Sequence, residues 1–254
     1  MSATSDDVAQ STVVLLHGGG PGVDAASNWA SVRPRLSATF TCLAPDLLGF
    51  GTRIAGTDGL TGPRAWALAR ARQVLDLLDR HDLERVHLVG NSAAGGAAAL
   101  ALLSVAPDRV DRAVVMGGAG TGPLPPAVPF YDDPTDQSMR ATLGRLVGDE
   151  DVHGELLDEL AGVRLRQAQR PGAERAFRSM FAADDIPPVD LTTIVNPVLA
   201  LHGECDRVSP VAVSQRLADA LPHGRLAVVA GAGHWIHVDR SEQFCSLVEE
   251  FLNA

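Results

Sequence analysis

Strand-like and helix-like runs take turns along this chain, and the strand-like runs end in tight turns. Val13–Leu16 runs into His17-Gly18-Gly19-Gly20-Pro21-Gly22, and Phe40–Ala44 ends at Pro45-Asp46. Val86–Val89 runs into Gly90-Asn91-Ser92-Ala93-Ala94-Gly95-Gly96, and Ala113–Met116 into Gly117-Gly118. Pro197–Leu201 and Leu226–Val229 repeat the pattern later. Between them, Ala65–Arg80, Ala94–Val105, Val211–Ala220 and Glu242–Leu252 read as helices; the first carries Trp66, Leu68, Val74, Leu75, Leu77 and Leu78 at helical spacing. Short, continuously apolar strands are buried on both faces. Interleaved with helices, they specify a parallel sheet covered on both sides, an α/β fold.

The alternation breaks once. Pro123, Pro125, Pro126, Pro129 and Pro134 crowd one stretch, and the charged, helix-like segment Gln137 to Phe181 follows with no strand-like run. Pro187-Pro188 closes it. The expected division is a core over 1–119, a helical insert over 120–188 and the rest of the core over 189–254. The insert follows the carboxyl end of a strand, the edge where such sheets bind ligands, and is a candidate lid or cap.

Composition removes several function classes. The chain has 254 residues, of which 46% are hydrophobic and 20% charged, which is globular rather than disordered. A net charge of −10 argues against nucleic acid as a partner. The three cysteines, Cys42, Cys205 and Cys245, are odd in number and widely spaced, so they provide neither a disulfide framework nor a metal site. The histidines lack metal-ligand spacing, and no metal or cofactor is expected. Residues 1–11 do not read as a secretory signal, and no apolar stretch approaches the ~20 residues of a membrane span. The reading is a cytoplasmic protein with a small-molecule ligand.

Ser92 stands where a strand turns into a helix, the setting of a nucleophile elbow. A serine needs a base, and the base needs an orienting group. Asp206, in Gly203-Glu204-Cys205-Asp206-Arg207, and His234, in Gly231-Ala232-Gly233-His234-Trp235, follow the next two strands in the order serine, acid, histidine. All three loops leave the same sheet edge. Each residue alone has an ordinary reading: Ser92 as a loop serine, Asp206 as a cap for the helix near Ser209, His234 as a loop histidine with His237 as its rival. Their conjunction points to Ser92, Asp206 and His234 as a catalytic triad. The glycine turn after Val13–Leu16 is placed to give a backbone N–H to an oxyanion. His17 reads as a brace between loops, and His81, His87, His153, His202 and His223 as surface or packing groups.

These motifs resemble those of the α/β-hydrolase fold family, with a mostly parallel sheet and an inserted helical cap. More narrowly, the chain is similar to the meta-cleavage-product hydrolases, which split C–C bonds in vinylogous diketone acids from aromatic-ring opening. The resemblance rests on residues 17–22, Ser27-Asn28-Trp29, Gly90-Asn91-Ser92, Met116-Gly117-Gly118, Asp206-Arg207, Gly233-His234-Trp235 and, in the insert, residues 160–165. It implies that the N–H groups of Gly19 and Ala93 form the oxyanion hole. It also implies that Asn28, Asn91, Arg164 and Trp235 bind a dienoate substrate, Arg164 through its carboxylate. A carboxylesterase or lactonase, or a non-catalytic ligand-binding protein on the same scaffold, are the alternatives. Two features depart from the pattern. Position 94 is alanine where the elbow has glycine, with the double glycine one residue late. The hairpin usual before the first strand is also missing, which leaves an edge for the N-terminal segment or a homodimer partner to cover.

Overall fold

The computed structural model describes residues 10–119, 129–182 and 189–254. Six strands form one sheet: β1 (Thr12–Leu16), β2 (Thr41–Leu43), β3 (Val86–Asn91), β4 (Val110–Met116), β5 (Val198–Gly203) and β6 (Gly224–Val229). They stand in the order β2-β1-β3-β4-β5-β6. Every pairing is parallel, with Leu16 opposite Gly90, Asn91 opposite Met116, and Met116 opposite Leu201. That register brings the ends of β3, β4 and β5 level at one edge.

Alternate residues of the central strands feed opposite faces. Val14, Leu16, Leu88 and Val115 pack against α3 (Pro63–Arg80) and α4 (Ala97–Val105). Val13, Leu15, Val89, Val114 and Leu201 face the other way, with Trp29 of α1 (Ala25–Trp29), Leu36 of α2 (Arg33–Thr39) and Phe244 among their neighbours. The buried central strands are therefore apolar on both faces over most of their length. The short helices α1 and α2 have no counterpart among the elements expected from the sequence, because Pro34 and a three-residue gap hide their periodicity.

Between β4 and β5 the described residues hold helices and no strand: α5 (Asp136–Gly144), α6 (Gly154–Ala168) and α7 (Ala173–Met180). They have a small core of their own, Phe130, Met139, Leu143, Val147, Leu157, Ala161 and Ala168, and Trp235 enters it from the main body. Most of the proline-rich stretch and the Pro187-Pro188 pair lie outside the described residues. The remaining helices are α8 (Val211–Ala220), α9 (Ile236–Asp239) and α10 (Ser241–Leu252).

Candidate active site

β3 ends at Asn91, and the next residue, Ser92, has φ of 55°, a left-handed backbone that a non-glycine residue adopts only under constraint. The constraint is the turn itself. Residues Ser92–Gly96 make one turn of π-helix before α4 begins. A π-turn spends one residue more than an α-turn. That extra residue reconciles Ala94 with the late double glycine. A side chain on Gly95 would collide with the Leu16 carbonyl, and one on Gly90 would lie 2.6 Å from the Gly95 carbonyl oxygen. Close approach of strand and helix thus falls to Gly90 and Gly95, and the methyl of Ala94 is accommodated.

Ser92, His234 and Asp206 meet at this edge. Ser92 Oγ lies 2.9 Å from His234 Nε2, and His234 Nδ1 lies 2.7 Å from Asp206 Oδ2. Asp206 can only accept, so Nδ1 carries the proton and Nε2 faces the serine hydroxyl as an acceptor. The imidazole rests on Gly117, where a Cβ would strike the ring. Asp206 Oδ1 accepts from the N–H groups of Val208 and Ser209 at 2.7 and 3.0 Å. Burial pushes the Asp206 carboxyl up, but hydrogen bonds from His202, His234 and the Ser209 N–H outweigh it and hold the group below the usual carboxylate range.

Of the two expectations for His202, surface or packing, the residue follows the second, and it takes a polar role besides. It is fully buried, with Nε2 2.9 Å from the Ser209 carbonyl and 3.2 Å from Asp206 Oδ2. Nε2 must therefore bear a proton, and Nδ1 accepts from Ser214 Oγ at 2.7 Å. A second imidazole thus braces the carboxylate from behind. The four-residue spacing of His202 and Asp206 across the end of β5 was the available signal. His17 is a brace as expected: Nε2 accepts from the Leu47 N–H at 2.9 Å and Nδ1 faces the Gly18 carbonyl. Burial drives its pKa down to about 4, so it stays neutral. His237, the rival of His234, is enclosed by Trp29, Trp235 and Phe244.

A cavity of about 340 Å³ opens over Ser92 and His234. Gly19, Gly20 and Ala93 line it, so both expected oxyanion-hole residues share a cavity with the serine. The segment between β4 and β5 supplies Met139, Leu143, Arg164 and Phe177 from its helices and Leu146 from the connector after α5. Arg164 is 2% exposed, and its Nε and Nη2 have no hydrogen-bond partner among the described residues. Its guanidinium lies 4.9 Å over the Trp235 ring, and burial lowers its pKa to about 10. Asn28, Asn91 and Trp235 stand behind the wall. Asn91 Nδ2 donates to Asn28 Oδ1 at 3.1 Å, and the Gly18 N–H approaches the same oxygen at 3.4 Å. Asn28 Nδ2 and Asn91 Oδ1 are buried without partners. Among the described residues no group of three or more His, Cys, Asp or Glu side chains is placed to hold a metal ion, and no helix is long and apolar enough to cross a membrane.

Comparison with known proteins agrees with this architecture. The profile of the alpha/beta hydrolase family matches residues 13–247. A 2-hydroxy-6-oxo-2,4-heptadienoate hydrolase of Pseudomonas putida is 38% identical over 97% of this chain and 90% of its own length. A 2-hydroxymuconate semialdehyde hydrolase of a Pseudomonas species is 34% identical over 97% and 88%. Among solved structures, the 2-hydroxy-6-oxo-6-phenylhexa-2,4-dienoate hydrolase of a Rhodococcus species superposes with a TM-score of 0.87 at 34% identity, covering 96% of this chain and 91% of that one. The chain belongs to the alpha/beta hydrolase family, as an enzyme similar to the meta-cleavage-product hydrolases.

Proposed function

We propose that this enzyme hydrolyses a C–C bond in a vinylogous diketone acid, with Ser92 as nucleophile, His234 as base and then acid, and Asp206 as its orienting carboxylate. The observation that carries the substrate class is Arg164. A buried guanidinium without a carboxylate partner is costly to the fold. It lines the same cavity as Ser92 and His234 and offers a planar fork to a carboxylate. Residues 120–188 act as the cap that delivers this cation, and Trp235 backs it. Asn28 and Asn91, expected to bind substrate oxygens, support the glycine turn from behind the cavity wall and act on the substrate only through it.

In this reading His234 first helps move the enol proton to carbon. Ser92 Oγ then attacks the distant ketone while Nε2 takes its proton, and the N–H groups of Gly19 and Ala93 hold the oxyanion. The C–C bond breaks, its electron pair enters the dienol fragment, and His234 returns a proton. Water, deprotonated by His234, releases the acyl group from Ser92 as a carboxylic acid. The net change adds one water across the bond.

The test compares a carboxylated ring-fission diketone with a neutral nitrophenyl ester. Both are expected to turn over in the wild type and in neither case with Ser92→Ala. Arg164→Met is expected to lose roughly 10–100-fold in kcat/KM on the diketone acid only, the worth of a charged hydrogen bond. Turnover of neutral esters or lactones with none of the diketone acid would replace this reading by an esterase.

A further inference from the structure

Three hydrogen-bonded arms converge on one buried carboxylate outside the triad. Asp239 ends α9, five residues after His234, and its side chain is 2% exposed. Its Oδ2 accepts from the Gly233 N–H at 2.7 Å and from the Gly148 N–H at 3.0 Å. Its Oδ1 lies 2.9 Å from His153 Nε2. Gly233 is bonded directly to His234. Gly148 lies in the connector between α5 and α6, and His153 is the residue from which α6 springs, the helix that carries Arg164. The same connector is tied to the other triad loop, because Arg207, beside Asp206, donates to the carbonyls of Gly144 and Val147 at 2.6 and 2.9 Å. The Trp235 N–H donates to the Leu146 carbonyl at 2.7 Å.

We infer that Asp239 is a positioning residue that latches the start of α6 to the histidine loop and so fixes the spacing between the Arg164 cation and the His234 base. A carboxylate suits the task because it accepts from several donors at once. Two of the three arms have separable jobs. The Gly233 arm holds His234 against Ser92, and the His153 arm holds α6 and therefore the subsite for the substrate's carboxylate. The inference rests on the triad and Arg164 roles proposed above.

The test follows two readouts on the intact enzyme: the rate at which a fluorophosphonate labels Ser92, and KM for a carboxylated diketone. Asp239→Ala is expected to slow labelling about tenfold and to raise KM roughly fivefold or more. Asp239→Asn keeps a carbonyl oxygen for the two glycine N–H groups but changes the face turned to His153. It is expected to restore labelling to within about threefold of wild type while KM stays raised. His153→Ala is expected to raise KM by a similar factor with labelling within about twofold of wild type. Wild-type labelling in Asp239→Ala, or equal slowing in His153→Ala, overturns the latch. Should Asp239→Ala lack native circular dichroism, the other two variants decide, and wild-type KM in both overturns it. A wild type that is neither labelled nor active overturns the triad reading and this inference together; an active wild type with indifferent variants overturns the inference alone.

Discussion

Serine 92 sits in a strained backbone with its hydroxyl 2.9 Å from an imidazole that a buried carboxylate holds in one tautomer. Removing that hydroxyl by Ser92→Ala is expected to cut turnover by roughly 10⁴-fold or more while leaving the fold intact, as steady-state kinetics and circular dichroism would read. His202 acts one step back, through Asp206. His202→Asn is expected to lower kcat about tenfold with KM nearly unchanged, the worth of one hydrogen bond to a charged group. His237 bears on stability instead. Burial pushes its pKa from 6.5 down to about 3. Between those values the unfolded chain binds a proton that the folded chain does not, so stability falls as pH drops. The cost is about 2 kcal/mol from pH 7 to pH 5 for such a group. His237→Phe, which keeps an aromatic ring among Trp29, Trp235 and Phe244, is expected to make the fall in thermal stability over that range less steep, with His17 supplying the rest. An unchanged slope of Tm against pH would reject this account.

At the scale of elements, the elbow and the α6 helix use glycine for opposite reasons. Gly95 lies where the π-turn touches β1, and a methyl there meets the Leu16 carbonyl. Gly95→Ala is expected to cost about 3 kcal/mol or more and to abolish Ser92 labelling. Gly162 lies inside α6, where an added Cβ meets only Arg166 Nη1 at 3.5 Å. Gly162→Ala is expected to stabilise the protein by about 0.5–1 kcal/mol through helix propensity, a rise of a few degrees in a thermal melt. The elements themselves were legible in the sequence. Val86–Val89 and Val211–Ala220 read correctly because a buried parallel strand and an amphipathic helix each impose a local pattern. The π-turn was not legible, since a shifted glycine pair signals only that something must absorb a residue. Nor were α1 and α2, which are too short to show a period.

Across the whole molecule, function and stability compete at Arg164. The main body supplies the serine, acid and histidine, and α6 supplies the buried Arg164 cation to the cavity over the serine and histidine. A buried charge without a partner costs desolvation, so Arg164→Met is expected to raise Tm even as it weakens the carboxylated substrate. A melt showing equal or lower stability would mean that packing on Trp235 outweighs the desolvation cost.

The order of strands and helices, the turn that carries Ser92, and the succession Ser92, Asp206, His234 follow from the sequence alone, because each is written in a local pattern or in chain order. Whether the three side chains touch, and that Asn28 and Asn91 hold each other behind the cavity wall, is fixed by the tertiary structure. So are the roles of His202 and Asp239. The physical reason is reach: these contacts join residues from different strands and loops, and hydrogen-bond distances between them exist only once the sheet register has brought those strand ends level.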